Sequence, residues 1–138
     1  MRGPYRKRRV FEPPLFNRFK PAGIPRSQLK SIILSVDEYE AIRLADYIQL
    51  EHLAASERMA ISRPTFTRLI ESARHKMAQA LIDGKEMIIN GGNIDFERSL
   101  HKCRECGDTQ RTLPRKNLQE CPRCGSDQIS DLSSSVSS

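Results

Sequence analysis

From Ser35 to Gly84 the apolar positions recur every three or four residues in three blocks, which predicts three helices. Tyr39, Ile42 and Ala45, widened by Ala41 and Leu44, make one face of the first helix, and Ser35 with Glu38 forms a capping box at its start. A shorter block after Tyr47 to Leu50 turns Ala55, Ser56 and Met59 inward and leaves Glu57 and Arg58 outside. Ala60 and Ile61 read as a turn. Ser62 then suits an N-cap, Pro64 is tolerated in a first turn whose amides lack helical acceptors, and Ile61 stands at staple spacing from Phe66. Phe66, Leu69, Ile70, Ala73, Met77, Ala80 and Leu81 continue the pattern until Gly84 offers a C-terminal stop.

Turning those apolar residues inward fixes what faces out, because each residue advances a helix by about 100°. The first turns of the third helix then present Arg63, Thr65, Thr67 and Arg68, with Ser72 flanking them. Solvated helix faces often carry arginines, but here a short helix and a tight turn precede the basic face, the geometry that enters a DNA major groove. Arginine pairs bidentately with guanine, and threonine meets a thymine methyl or a phosphate. Glu71 and His75, four residues apart, read as an ordinary exposed pair.

Charge sharpens this reading. The chain of 138 residues has 23 Lys and Arg against 17 Asp and Glu, a net charge of +6. Residues 1–30 hold nine basic residues against Glu12 alone and are therefore +8, so the excess lies wholly in the amino-terminal segment. Arg2, Arg6, Lys7, Arg8 and Arg9 stand among Pro4, Pro13 and Pro14, which predicts an extended, mobile arm that follows phosphates or a minor groove. It has no amphipathic apolar face for a membrane surface.

Several separated motifs occur together here: the basic, Pro-containing start, the run from Phe19 to Pro25, the segment from Val36 to Asp46, the block from Glu57 to Phe66, the run from Glu71 to Arg74 and the closing Asn90, Gly91 and Gly92. Together they resemble a family of small, uncharacterised bacterial and archaeal proteins predicted to bind DNA, whose helix-turn-helix is similar to the sigma-factor region 4 that reads the −35 promoter element. The resemblance covers roughly residues 1–92 and implies a sigma-region-4-like fold and sequence-specific DNA binding. Ala60 and Gln49 stand where relatives tend to have glycine; if either needs a positive φ, its Cβ costs about 1 to 2 kcal/mol.

Beyond Gly84, Met87, Ile88 and Ile89 suit a strand or an extended tail packed on the helices. Cys103 and Cys106 then form one C-x-x-C pair, and Cys121 and Cys124 another. Two such pairs can close a tetrahedron of thiolates around Zn²⁺, with Gly107 and Gly125 letting each turn aim its amides at the sulfurs. Lys102, Arg104 and Arg123 partly offset the charge of four thiolates on one Zn²⁺. The pattern predicts a zinc ribbon that draws most of its folding free energy from the metal. Rubredoxin-like iron suits Cys121 to Gly125 but lacks surrounding aromatics. Disulfides or a thiol-redox role would also use paired cysteines, and His101 is a less favoured ligand because four Cys already complete a site.

The expected architecture is mainly α: a basic arm (1–30), a three-helix helix-turn-helix domain (31–92), a linker (93–100), a four-Cys zinc ribbon (101–130) and a disordered Ser-rich tail (131–138). The leading function is a double-stranded-DNA-binding transcriptional regulator. The ribbon would add DNA contacts or recruit a protein such as RNA polymerase, and a homodimer would suit a two-fold operator. An RNA-binding or polymerase-associated adaptor and a zinc-thiolate redox sensor are the competing functions. No nucleophile and base pair suggests an enzyme, and a closed four-Cys site leaves no position for water. The chain shows neither a signal-peptide pattern nor a long apolar run, so the expected setting is a reducing cytoplasm.

Overall fold

The computed structural model describes residues 7–114 and 116–136. Three helices form its N-terminal region: α1 (Val36–Ile42), α2 (His52–Arg58) and α3 (Arg63–Asp83). Ser35 and Glu38 make the expected capping box on α1, and a π-helical turn, Arg43–Tyr47, extends that helix. Ser62 Oγ accepts from the Thr65 amide at the start of α3, and Gly84 ends that helix in the left-handed region at φ 68°. Wherever the helices have a cap in the sequence, the backbone begins or ends there because otherwise orphaned amides and carbonyls find partners.

Two apolar cores share this region. One gathers Ala41, Leu44, Ala55, Met59, Ile61, Phe66 and Ile70 between the three helices, and the edge of His52 meets the Phe66 ring at 5.3 Å. The other sets Val36 and Ala73 against Val10, Leu34, Met87, Ile89 and Val136. It exists because strands, not helices alone, flank the bundle. Short strands β1 (Arg8–Val10), β2 (Arg18–Phe19), β3 (Ser31–Leu34), β4 (Glu86–Ile89) and β5 (Ile94–Phe96) form two small sheets. In one, β4 lies between antiparallel β2 and parallel β3; in the other, β1 pairs in parallel with β5. Strands β6 (Ser99–Cys103), β7 (Thr109–Thr112) and β8 (Ile129–Asp131) make an antiparallel sheet, with β6 central, that bears the cysteines.

Three expectations need correction. The supposed mobile arm is built into the fold from residue 8 onward. Arg8 pairs with the buried Asp37, the Phe11 amide donates to buried Glu40, and Phe11 lies between the guanidinium groups of Arg43 and Arg98. Arginines clustered among prolines read as a solvated tail, yet the buried carboxylates Asp37 and Glu86 draw in Arg8, Arg18 and Arg26, and buried Glu40 holds the Phe11 amide. The supposed linker is strand β5 plus the start of β6, with Ser99 and Leu100 buried. The Ser-rich end is also ordered as far as Val136, whose side chain is fully buried in the strand-flanked core and whose carbonyl accepts from the Gly91 amide at 3.0 Å. The 31–92 unit is accordingly less helical than expected, since both its ends are strands.

Candidate nucleic-acid interface and metal centre

The turn between α2 and α3 is tight because the Ala60 amide bonds to the Glu57 carbonyl and the Ile61 amide to the Ser56 carbonyl. Closing it puts Ala60 at φ 58°, and the loop before α2 holds Gln49 at φ 70°, so both positions carry a Cβ in the left-handed region. Behind the turn, the Arg9 amide donates to the Met59 carbonyl at 3.0 Å. The N-terminal strand therefore braces the junction that sets how α3 projects.

At the exposed start of α3, Arg63 and Arg68 are open to solvent. Among the described residues neither side chain makes a hydrogen bond, an ion pair or a ring contact. The other arginines mostly do: Arg8, Arg9, Arg18, Arg26, Arg43, Arg74 and Arg111 face carboxylates, Arg98 sits over Phe11 and Arg104 donates to Ser130. Among the described residues Arg58, at the end of α2 just before the turn into α3, is also without a side-chain partner, as is Arg123 beside Cys124 in the cysteine module. Thr65 Oγ1 lies 2.7 Å from Ser62 Oγ, and Thr67 Oγ1 lies 3.1 Å from His52 Nδ1. Both hydroxyls are thereby positioned rather than free to rotate.

The remaining sequence candidates separate. Ser72 is exposed, but its Oγ donates to Glu38 Oε2 at 2.6 Å and so clasps α3 to α1. Arg8 is held by the buried Asp37, Arg9 stands a loose 3.6 Å from exposed Glu97, and Lys7 is exposed. Arg6 lies outside the described residues. His52 and Arg58 are additions that the sequence pattern missed; only the packing of α2 across α3 brings His52 to Thr67.

Carboxylates lock the same helices from behind. Burial by itself would raise the Glu38 pKa, but hydrogen bonds from Lys76, Ser72 and Ser35 outweigh it and hold this carboxyl below its usual range. The Arg74 guanidinium likewise lowers Asp46, tying α3 to the π-helical turn with an N–O distance of 2.6 Å.

In the cysteine module, two knuckles repeat one geometry. The Gly107 amide donates to the Cys103 carbonyl and the Cys103 amide to the Asp108 carbonyl; the Gly125 amide donates to Cys121 and the Cys121 amide to Ser126 in the same way. Both glycines sit at φ 78°. The four sulfurs all lie within 4.8 Å of one another, with Cys103 and Cys124 at 3.6 Å and Cys106 and Cys121 at 3.6 Å. Sulfurs 2.3 Å from a central Zn²⁺ would stand about 3.8 Å apart, so the four thiols fit a tetrahedral ion. Backbone amides, that of Cys106 foremost, lower the Cys103 thiol to about 7, whereas at Cys124 the backbone hydrogen bond from Ser126 is outweighed by desolvation and the three neighbouring sulfurs, which push it up to about 12. Cys103 and Cys121 are buried and Cys124 is open to solvent. His101 is buried two residues away and its Nε2 meets Thr112 Oγ1, leaving the cluster to sulfur alone. No helix among the described residues is long and apolar enough to cross a membrane.

A family model described as "Protein of unknown function DUF134" matches residues 1–97. A "UPF0251 protein" of Chloroherpeton thalassium is 52% identical over 129 residues, spanning 94% of this chain and 85% of its own length. One from Pelotomaculum thermopropionicum is 45% identical over 89% of this chain and 92% of its own length. A relative from the archaeon Methanothermobacter thermautotrophicus is 38% identical over 94% of this chain and 67% of its own length. No solved structure matches.

Proposed function

We propose, for a chain that belongs to the family described as protein of unknown function DUF134, that it binds double-stranded DNA sequence-specifically as a transcriptional regulator. The helix-turn-helix is α2 and α3, and the N-terminal turns of α3 enter the major groove. The observation that carries this reading is the unpaired set Arg58, Arg63 and Arg68 about the α2–α3 turn of a chain whose other described arginines are mostly engaged. Cations left without partners on a braced helix end suit an anionic, edge-bearing ligand, and Thr65 and Thr67 stand beside them for methyl or phosphate contact.

The four cysteines bind one Zn²⁺ in this reading. Two thiolates from each knuckle complete a closed, structural site, and the ion supplies folding free energy rather than chemistry. The protein acts by binding and is not an enzyme. The setting is the cytoplasm, where thiols stay reduced.

Selection of duplexes from a random pool tests the reading. A defined motif is expected. Arg68→Ala and Arg63→Ala should each relax one base preference by about 1 to 3 kcal/mol, while Lys7→Ala should weaken all sequences alike and flatten the salt dependence. Equal competition by single-stranded RNA would transfer the function to an RNA-binding adaptor, and loss of the metal on mild peroxide treatment would favour a redox sensor.

A further inference from the structure

α3 is longer than the bundle it belongs to. Its first half buries Phe66, Ile70 and Ala73, but Met77 and Leu81, which continue the same apolar stripe, are 41% and 81% exposed. There the helix runs past the sheet of β2, β4 and β3, and an open groove of about 660 Å³ lies between them. Leu34, Tyr39, Ile42, Met77, Leu81 and Met87 supply much of its wall. The volume is that of a small-molecule site, and the wall is almost wholly apolar.

The two charged groups of the groove are gathered at one end. Phe19 pairs with Met87 in antiparallel register, so Lys20, one residue on, and Lys85, two residues back from Met87, share the same end of the sheet. Both line the groove. Lys20 Nζ donates to the Ile24 carbonyl, and Lys85 Nζ is a loose 3.8 Å from Asp83 Oδ2. The nearest buried carboxylate, Glu86, is occupied by Arg18 and Arg26. Positive charge is therefore in excess at the mouth.

We propose that this groove binds a small anionic amphiphile, an acyl-chain carboxylate with its chain along Met77, Leu81 and Met87 and its head group between Lys20 and Lys85. The test needs no DNA, so its outcome is independent of the DNA-binding reading. Metal-loaded full-length protein carrying methyl-labelled methionines is titrated with dodecanoate below its micelle concentration. Saturable shifts of the Met77 and Met87 methyls are expected while Met59, buried between the helices, stays in place. Affinity should rise about threefold to fourfold per methylene from octanoate to dodecanoate. Lys20→Glu with Lys85→Glu should weaken dodecanoate about tenfold and improve dodecyltrimethylammonium. Leu81→Asp, at an exposed position that folding does not depend on, should weaken dodecanoate as well.

Absent saturation, equal binding of the cationic and anionic detergents, or movement of Met59 together with the other two would each overturn the proposal. Self-association that shields Met77 and Met87 without added ligand would assign the groove to a second copy. Displacement of dodecanoate by an acidic amphipathic peptide at lower concentration would assign it to a protein partner.

Discussion

Between Leu34 and Ile89 the chain buries Leu34, Val36, Ala41, Leu44, Ala55, Met59, Phe66, Ile70, Ala73 and Ile89, whereas between Ser99 and Asp131 only Ser99, Leu100, His101, Cys103 and Cys121 are buried among the described residues. The first region closes on apolar area removed from water. The second has almost none to remove, and places four thiols within 4.8 Å of one another instead. The difference predicts two separate dependences: one region answers to cavities in its core, the other to its metal.

Removing the metal should have the largest effect. A structural Zn²⁺ site is worth on the order of 10 kcal/mol, beyond what Leu100 as the region's one fully buried apolar side chain besides the cysteines supplies. A strong chelator, or Cys103→Ser, should abolish amide protection in β6, β7 and β8, while the far-UV helical signal of α1 to α3 persists. Melting of the helices in the same step would show that the two regions are one cooperative unit. The contact that would carry such coupling is visible: β8 leads directly into the segment ending at Val136, which plugs the core containing Ala73 of α3.

Phe66→Ala should come next. It empties a fully buried ring site between α2 and α3 and should cost about 3 to 5 kcal/mol, lowering the urea midpoint of the helical signal while zinc content holds at one per chain. This is the converse of the chelator experiment, and together they separate the two sources of stability.

How legible these regions are from the sequence follows the same division. Helix positions were readable because caps and apolar spacing are local, and Ser35, Ser62 and Gly84 all act where they stand. The cysteine cluster was readable because each pair is a short motif. Of the small sheets only β4 was, as the apolar run Met87 to Ile89; its partners were not, since β1 pairs with β5 and β2 with β4 across most of the helical region, and strands of two or three residues carry no periodicity. For the site, Arg63 and Arg68 could be named from spacing, but the pairing of Arg8 with Asp37 and of Ser72 with Glu38 depended on acidic partners that only the tertiary fold supplies.

A pH titration sharpens the helical side of the comparison. The folded state lowers the Glu38 pKa, so this group contributes stability above its ordinary value of 4.5 and loses it as pH falls through the lower folded value. Glu38→Gln, which gives up charge-assisted hydrogen bonds from Lys76 and Ser72, should cost about 2 kcal/mol at neutral pH and nothing once the wild-type carboxyl is protonated. Urea midpoints from pH 7 down to 3 should therefore converge for the two proteins. Lines that stay parallel would place the stabilising interaction elsewhere.

The smallest expected effect concerns the turn that aims α3. Ala60 at φ 58° and Gln49 at φ 70° hold a Cβ in a conformation that costs roughly 1 to 2 kcal/mol, whereas glycine there forfeits about 0.5 to 1 kcal/mol to the freedom of the unfolded chain. Ala60→Gly and Gln49→Gly should thus each stabilise by about 0.5 to 1 kcal/mol, read as a higher urea midpoint with an unchanged slope. Gly84 calibrates the same balance in reverse. It holds φ 68° with nothing within 4 Å of where a Cβ would stand, so Gly84→Ala reports the conformational cost free of steric contact and should destabilise by a matching amount. If Gly84→Ala costs its share but Ala60→Gly gains nothing, the interhelix turn must relax away from the left-handed region in solution, and the angle at which α3 projects would change with it.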